Sequence, residues 1–242
     1  HTRYQTVGRF AEHVHLEEPR HELPPPNHFG QRKTRRVPRI YTALEIDHLV
    51  LAAAQLSAGD PRRPQTYATL ISLLAATGLR ISEALHLRYG DVTPDGLLIR
   101  KTKFQKSRLV PLHETAAAGL GQYLAQRRPM PLATDHVFID DNGQPIGYGT
   151  VYRIFARLAR AAEIPTLRGH RPRLHELRHT FAVRALQAAP AGRQRIGQHM
   201  LALATYLGHV SIDSTYWYLE STSELLEDIA AAGEVYLQGG QS

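Results

Sequence analysis

The chain has 242 residues, of which 43% are hydrophobic and 21% charged, and this composition excludes collagen-like, coiled-coil and wholly disordered proteins. It contains no cysteine, which removes disulfides, thiolate nucleophiles and cysteine-ligated metals, and no apolar run reaches the length of about 18 residues that a membrane span needs. The formal net charge of +7 favours a polyanionic partner, because each neutralised phosphate releases a counterion.

The first 37 residues are predicted to be separate from the rest. Apolar side chains at helical spacing predict an amphipathic helix over residues 4–18. Three prolines at 24–26 then force an extended stretch, and a basic run follows at Arg32, Lys33, Arg35, Arg36 and Arg39. Because a single helix cannot bury its apolar stripe, we expect residues 1–37 to be the remnant of a larger N-terminal domain followed by a basic linker.

Residues 38–242 are predicted to form one domain that is mainly α with a small antiparallel β-sheet. The capping box Thr42-x-x-Glu45 begins its first helix, and Gly78 ends a second helix over residues 65–77. A short helix near residues 82–87 is followed by two strands, 97–101 and 108–112, which a basic turn connects.

The second half of this domain is predicted to be almost entirely helical. Helices are expected over residues 114–126 and 148–162, with a short strand at Val137 to Ile139 between them. From residue 175 onward the pattern is helical, and Ser221-x-x-Glu224 would cap a final helix.

Two short histidine patterns suggest metal chemistry but are incomplete. The segment His175-Glu-Leu-Arg-His179 fits H-E-x-x-H of zinc proteases, yet the next acid is Asp213 and no third ligand stands at a suitable spacing. The triplet His13-Val-His15 is similar to the metal site of relaxase-type nucleases, but it lies in the separate N-terminal helix. We therefore predict no metal site and no other cofactor, and the absence of a P-loop leaves nucleotide-driven chemistry without a site.

A series of polar motifs runs through the main domain in a fixed order. Arg80 follows the helix stop at Gly78, and Lys103 and Lys106 lie in the basic turn. His175-x-x-Arg178 places an imidazole and a guanidinium one helical turn apart, and Leu-Gly-His209 precedes Tyr218 by nine residues. This order resembles the tyrosine recombinase (phage integrase) family over about residues 38–235, with some similarity to integrases of transposons and other mobile elements.

The chemistry of these side chains is consistent with that resemblance. Cleavage of a phosphodiester develops charge on the non-bridging oxygens, to which Arg80 and Arg178 can offer bidentate forks. A tyrosine hydroxyl, with a pKa of about 10, needs its proton removed, and His175 is the natural base. His209 can hold another phosphate oxygen, and Lys103 can protonate the departing 5′ oxygen.

The resemblance implies a site-specific DNA recombinase or integrase that acts through a 3′-phosphotyrosyl intermediate, without metal or ATP. Its catalytic residues would be Arg80, Lys103, His175, Arg178, His209 and Tyr218. DNA contacts are expected from Arg32, Lys33, Arg35, Arg36 and Lys106. The expected partners are double-stranded DNA and, on paired DNA sites, three further copies of the chain, with weak or no association without DNA. We expect a bacterial cytoplasmic location at the nucleoid.

Several alternatives stay open at the level of sequence. Tyr216 and Tyr206 compete with Tyr218 as nucleophile, and Lys106 competes with Lys103. The same catalytic residues could support type IB topoisomerase-like relaxation of DNA. A catalytically silent DNA-binding module is the alternative from another class of protein.

Overall fold

The computed structural model describes residues 2–25, 38–56, 62–100, 107–127, 134–188 and 193–208. Contacts divide the chain into two compact units, residues 1–37 and 38–242. The first unit contains helix α1 (Thr2–Glu17), which confirms the helix predicted over residues 4–18. The Tyr4 hydroxyl donates a hydrogen bond of 2.8 Å to the Pro25 carbonyl, so the chain after α1 folds back along the helix.

The second unit consists of helices around a small sheet, as predicted. The helices are α2 (Ala43–Ala54), α3 (Arg63–Thr77), α4 (Ile81–Leu85), α5 (Glu114–Arg127), α6 (Tyr148–Ala161), α7 (Glu176–Gln187) and α8 (Arg193–Leu207). The antiparallel sheet has the order β1 (Val92–Thr93), β2 (Gly96–Ile99) and β3 (Arg108–Val110), with Leu97 opposite Val110. No helix in the described ranges is long and apolar enough to cross a membrane.

Helix α2 begins as the sequence predicts. The Thr42 hydroxyl accepts the Glu45 backbone N–H at 3.1 Å, and the Glu45 carboxylate accepts the Thr42 backbone N–H at 2.8 Å. These two bonds satisfy donors that the first turn of a helix leaves without partners. Arg39 adds an ion pair of 2.5 Å to the same carboxylate, which ties the segment before α2 to its first turn.

Helix α3 is the central element of the core. It packs against α2, α5 and α7, and most of its length is buried, including Leu70 and Leu74. The helix ends at Gly78, which adopts the left-handed conformation with φ of 61°. Because neighbouring helices hold α3 along its length, the position of its C-terminal end is well defined.

Two local features of the structure differ from the sequence-based prediction. Residues 137–139 do not form a strand; only isolated bridges, His136 with Arg88 and Ile139 with Pro145, flank the buried residues Val137 and Phe138. The apolar pattern there reflects burial in a core segment rather than sheet pairing. Strand β1 was not predicted, because two residues carry no alternation. The final helix predicted beyond Ser221 lies outside the described residues.

We expect Gly78→Ala to destabilise the protein. A Cβ atom at this position would lie 2.6 Å from a ring carbon of Phe181, and the left-handed conformation costs a non-glycine residue about 1–2 kcal/mol. The free energy of unfolding, measured with urea, should therefore fall by at least about 1 kcal/mol.

Gly119→Ala provides the matched control for this variant. Gly119 lies within α5, and nothing lies within 4 Å of a Cβ added there. Removing a glycine from a helix interior should raise the free energy of unfolding by about 0.5–1 kcal/mol. Equal effects of the two substitutions would contradict the role assigned to the left-handed turn at Gly78.

Candidate active site

Arg178, on the first turns of α7, is the most buried of the predicted catalytic residues that the structure describes, with 3% of its surface exposed. Its Nη1 donates to the Gly78 carbonyl and its Nη2 to the Leu207 carbonyl, both at 2.7 Å. These bonds join α7 to the C-terminal ends of α3 and α8. The guanidinium therefore lies where three helices meet.

Arg80 lies beside Arg178, as the sequence predicts. It immediately precedes α4, and its Nη2 donates to the Gly208 carbonyl at 3.0 Å. Its Nη1 lies 3.4 Å from the Leu207 carbonyl oxygen, which also accepts from Arg178. Two guanidinium groups thus share one oxygen. Arg80 is 32% exposed and borders a groove of about 760 Å³, so an anion can reach it from solvent.

Glu83 and Arg108, to which the sequence motifs assign no role, complete the cluster. The Glu83 carboxylate accepts from Arg80 Nη1 at 2.8 Å and forms a two-pronged ion pair of 3.0 and 2.8 Å with Arg108. Arg108 Nε also donates to the Tyr206 carbonyl at 2.8 Å. The only sequence signal for this pair is the position of Glu83 three residues after Arg80, which is typical of a helix N-terminus.

Charge keeps Glu83 ionised in this cluster. Burial alone would raise the pKa of its carboxyl, but hydrogen bonds and charges from Arg108 and Arg80 outweigh that effect and hold the pKa below its ordinary value. The cluster therefore contains three guanidinium groups and one carboxylate, and its excess positive charge suits a phosphate.

His175 occupies the residue before α7, one helical turn from Arg178. Partial burial of the ring, together with the positive charges of Arg178, Arg173 and Arg80, lowers the pKa of His175. Its ring meets the edge of the His179 ring at 4.7 Å between centroids. A lowered pKa leaves the imidazole unprotonated near pH 7, which is the form that a general base must have.

The alternative nucleophile Tyr206 does not have the surroundings of a reactive hydroxyl. Its ring stacks on Phe181 at 5.4 Å, and burial raises the pKa of Tyr206 to about 12. A phenol whose pKa is raised gives up its proton less readily, so Tyr206 is a poorer nucleophile than a tyrosine with an ordinary pKa.

The histidine patterns do not form metal centres in the described part of the chain. The Glu176 carboxylate is 5% exposed and accepts the backbone N–H of Arg173 at 2.9 Å and its Nε at 3.2 Å. His13 lies 3.5 Å from Glu17, while His15 bonds to the His21 carbonyl. No group of three possible ligands comes together among the residues that the structure describes.

The remaining predicted residues lie outside the described ranges. These are the catalytic residues Lys103, His209 and Tyr218, the competing residues Lys106 and Tyr216, and the linker residues Arg32, Lys33, Arg35 and Arg36. Their roles stay predictions. Of the six predicted catalytic residues, the structure describes Arg80, His175 and Arg178 and brings them together.

A model of the phage integrase family matches residues 40–224. The chain belongs to this family. A putative integrase/recombinase of Sinorhizobium fredii, y4rB, is 37% identical over 239 residues, which cover 94% of this chain and 75% of that protein. The phage integrase family comprises the tyrosine recombinases, which are DNA strand-transferases, and site-specific recombination of DNA is the activity that membership supports.

Solved structures of tyrosine recombinases share the fold. XerH bound to its palindromic difH substrate, in a post-cleavage complex, matches with a TM-score of 0.67 at 22% identity, covering 88% of this chain and 59% of that one. A lambda integrase tetramer bound to a Holliday junction matches with a TM-score of 0.62 at 19% identity, covering 89% and 57%. The mainly α fold with a small sheet is therefore that of this family.

We expect His175 to titrate below its ordinary pKa of about 6.5. Between the lowered pKa and about 6.5, the unfolded chain binds a proton that the folded protein does not, so this group destabilises the fold as pH falls through that window and has no such effect above it. The shift is measured by following the imidazole C–H resonance of His175 from pH 4 to 8, with assignment by a His175→Gln variant.

The unfolded protein in urea is the reference for this titration. In the unfolded protein the pKa of His175 should lie near 6.5, above the pKa of His175 in the folded protein. A midpoint for folded His175 at or above that of the unfolded chain would contradict the effect assigned to burial and to the three arginines.

Proposed function

We propose that this recombinase cleaves and rejoins DNA through a 3′-phosphotyrosyl intermediate formed on Tyr218. The observation that carries the proposal is the pair of guanidinium groups, Arg80 and Arg178, that share the Leu207 carbonyl beside the neutral imidazole of His175. Two adjacent guanidinium groups that are fixed before substrate arrives can stabilise the charge of a phosphorane without moving. Such fixed groups are the condition for strong electrostatic catalysis.

In the proposed reaction, the Tyr218 hydroxyl oxygen attacks the scissile phosphorus, and His175 takes the phenolic proton. The bond between phosphorus and the 5′ oxygen breaks, and Lys103 gives a proton to that oxygen, which leaves as a 5′-hydroxyl. Arg80, Arg178 and His209 hold the non-bridging oxygens. Attack by a 5′-hydroxyl on the phosphotyrosine reverses each step, so the phosphodiester energy is retained without ATP.

The other partners of the proposal follow from charge and from the relatives. We propose that the linker residues Arg32, Lys33, Arg35 and Arg36 contact the DNA backbone, together with Lys106, which lies between β2 and β3 in the sequence. The lambda integrase tetramer on a Holliday junction supports assembly as a tetramer on paired sites. In this proposal residues 1–37 connect to a catalytic domain at 38–242, and the protein works on the DNA of the bacterial cytoplasm.

A nicked suicide substrate tests the nucleophile directly. Cleavage opposite the nick releases a short oligonucleotide by diffusion, so the covalent protein–DNA adduct accumulates and is seen on a denaturing gel. We expect the adduct to form in EDTA and to be lost in Tyr218→Phe, because the phenolic oxygen is the attacking atom. Tyr216→Phe is the matched control, two residues away in the same aromatic segment, and it should keep the adduct.

The outcome also separates the alternative functions. Adduct in Tyr218→Phe and none in Tyr216→Phe would assign the nucleophile to Tyr216 and refute this part of the proposal. Adduct without exchange between two marked duplexes would favour topoisomerase-like relaxation. DNA binding with no adduct at any duplex length would identify a silent binding module.

A further inference from the structure

We infer that Arg108 is a positioning residue for the reaction: it holds Arg80 in the active site through Glu83 and does not itself contact the DNA. This inference rests on the proposed function, since it concerns the same site. It adds Arg108, the first residue of β3 and two residues after Lys106, to which the family resemblance assigns no role. Three observations carry it: the use of every guanidinium nitrogen of Arg108, the shared carboxylate, and the contact with the end of α8.

Each of the three guanidinium nitrogens of Arg108 binds a protein atom. Its Nη1 and Nη2 bind the two oxygens of Glu83 at 3.0 and 2.8 Å, and its Nε binds the Tyr206 carbonyl at 2.8 Å. Only 12% of the side chain is exposed. Because the Glu83 carboxylate already occupies the fork that Nη1 and Nη2 would offer to a phosphate, this arginine is poorly placed to bind one.

Glu83 links Arg108 to Arg80, because its carboxylate binds both residues. One of its oxygens accepts from Arg80 Nη1 at 2.8 Å, and the other accepts from the Arg80 backbone N–H at 3.0 Å. Each carboxylate oxygen therefore contacts both arginines. Fixing both oxygens from the Arg108 side fixes the plane of the carboxylate, and with it the backbone and side chain of Arg80.

Arg108 also holds the backbone that carries the other contacts of Arg80. The carbonyls of Tyr206, Leu207 and Gly208 follow one another at the end of α8; Arg108 binds the first, and Arg80 binds the other two. The fit is close, because a Cβ atom added at Gly208 would lie 2.8 Å from Arg108 Nη1. Arg108 thus connects β3 to Glu83 and to the end of α8, the two groups that Arg80 also contacts.

Lysine cannot reproduce this arrangement. Its single ammonium is a point charge and cannot bind two carboxylate oxygens in a plane while also bonding to the Tyr206 carbonyl. Arg108→Lys therefore keeps the positive charge but loses the planar, two-pronged contact with Glu83. This makes it the informative substitution. Misplacement of a catalytic group by about 1 Å can cost roughly 100-fold in rate.

The test measures the single-turnover rate of adduct formation on the nicked substrate at saturating DNA, and separately the Kd for DNA. We expect Arg108→Lys to lower the rate by roughly 100-fold while changing the Kd less than about twofold. Arg39→Lys is the matched control, because Arg39 is also buried and donates to a carboxylate, Glu45, and a carbonyl, Pro165, that belong to no predicted catalytic residue. It should keep the full rate with a comparable loss of thermal stability.

Glu83→Gln, alone and combined with Arg108→Lys, tests the link itself. If Arg108 acts through Glu83, the single variants lose similar rate and the double variant loses little more than either. The inference would be overturned if the rate losses of the two single variants multiplied in the double variant. It would also be overturned if Arg108→Lys raised the Kd and left the rate at saturating DNA unchanged, or if its rate loss equalled that of Arg39→Lys. Failure of the unaltered protein to form adduct would instead overturn the proposed function, and this inference with it.

Discussion

The site depends on backbone carbonyls at the C-terminal end of α8. The last carbonyls of a helix have no partners within the helix and must find donors elsewhere. Here the carbonyls of Tyr206, Leu207 and Gly208 receive guanidinium groups from three different elements: Arg108 on β3, Arg80 before α4 and Arg178 on α7. The negative end of the helix dipole favours cations at this place, which partly offsets the repulsion between the three arginines.

The remaining charge explains why such a cluster would bind a phosphate. Glu83 neutralises one of three positive charges, and it is held ionised by the two arginines that it contacts. An incoming anion supplies the missing negative charge in a partly buried place, where each ionic hydrogen bond is stronger than in water. Arg80 is 32% exposed and borders the groove, whereas Arg178 is 3% exposed and does not line it.

Local signals were sufficient to predict much of the fold. The capping box at Thr42, the stop at Gly78 and the paired strands β2 and β3 each depend on a few neighbouring residues, and each appears as predicted. The prediction of a strand at 137–139 is wrong, because a buried segment and a strand share the same hydrophobic pattern.

The candidate site was predictable only as far as its motifs. Family resemblance singled out Arg80, His175 and Arg178, which the fold brings together. The pairing of Glu83 with Arg108 spans 25 positions and the bond from Arg108 to the Tyr206 carbonyl spans 98, so neither leaves a periodic trace in the sequence. Such contacts follow from the tertiary arrangement of β3 and α8, which a single sequence does not reveal.

The turns that end two helices also supply the carbonyls that bind the active-site arginines. Helix α3 ends at Gly78 with φ of 61°, and α8 is followed by Gly208 with φ of 65°. The carbonyl of Gly78 receives Arg178, and that of Gly208 receives Arg80. A left-handed residue turns the chain away from the helix axis at little cost only when it is glycine. Both arginines are thus bound to the turns that end these helices, so their orientation in the structure comes from the fold itself.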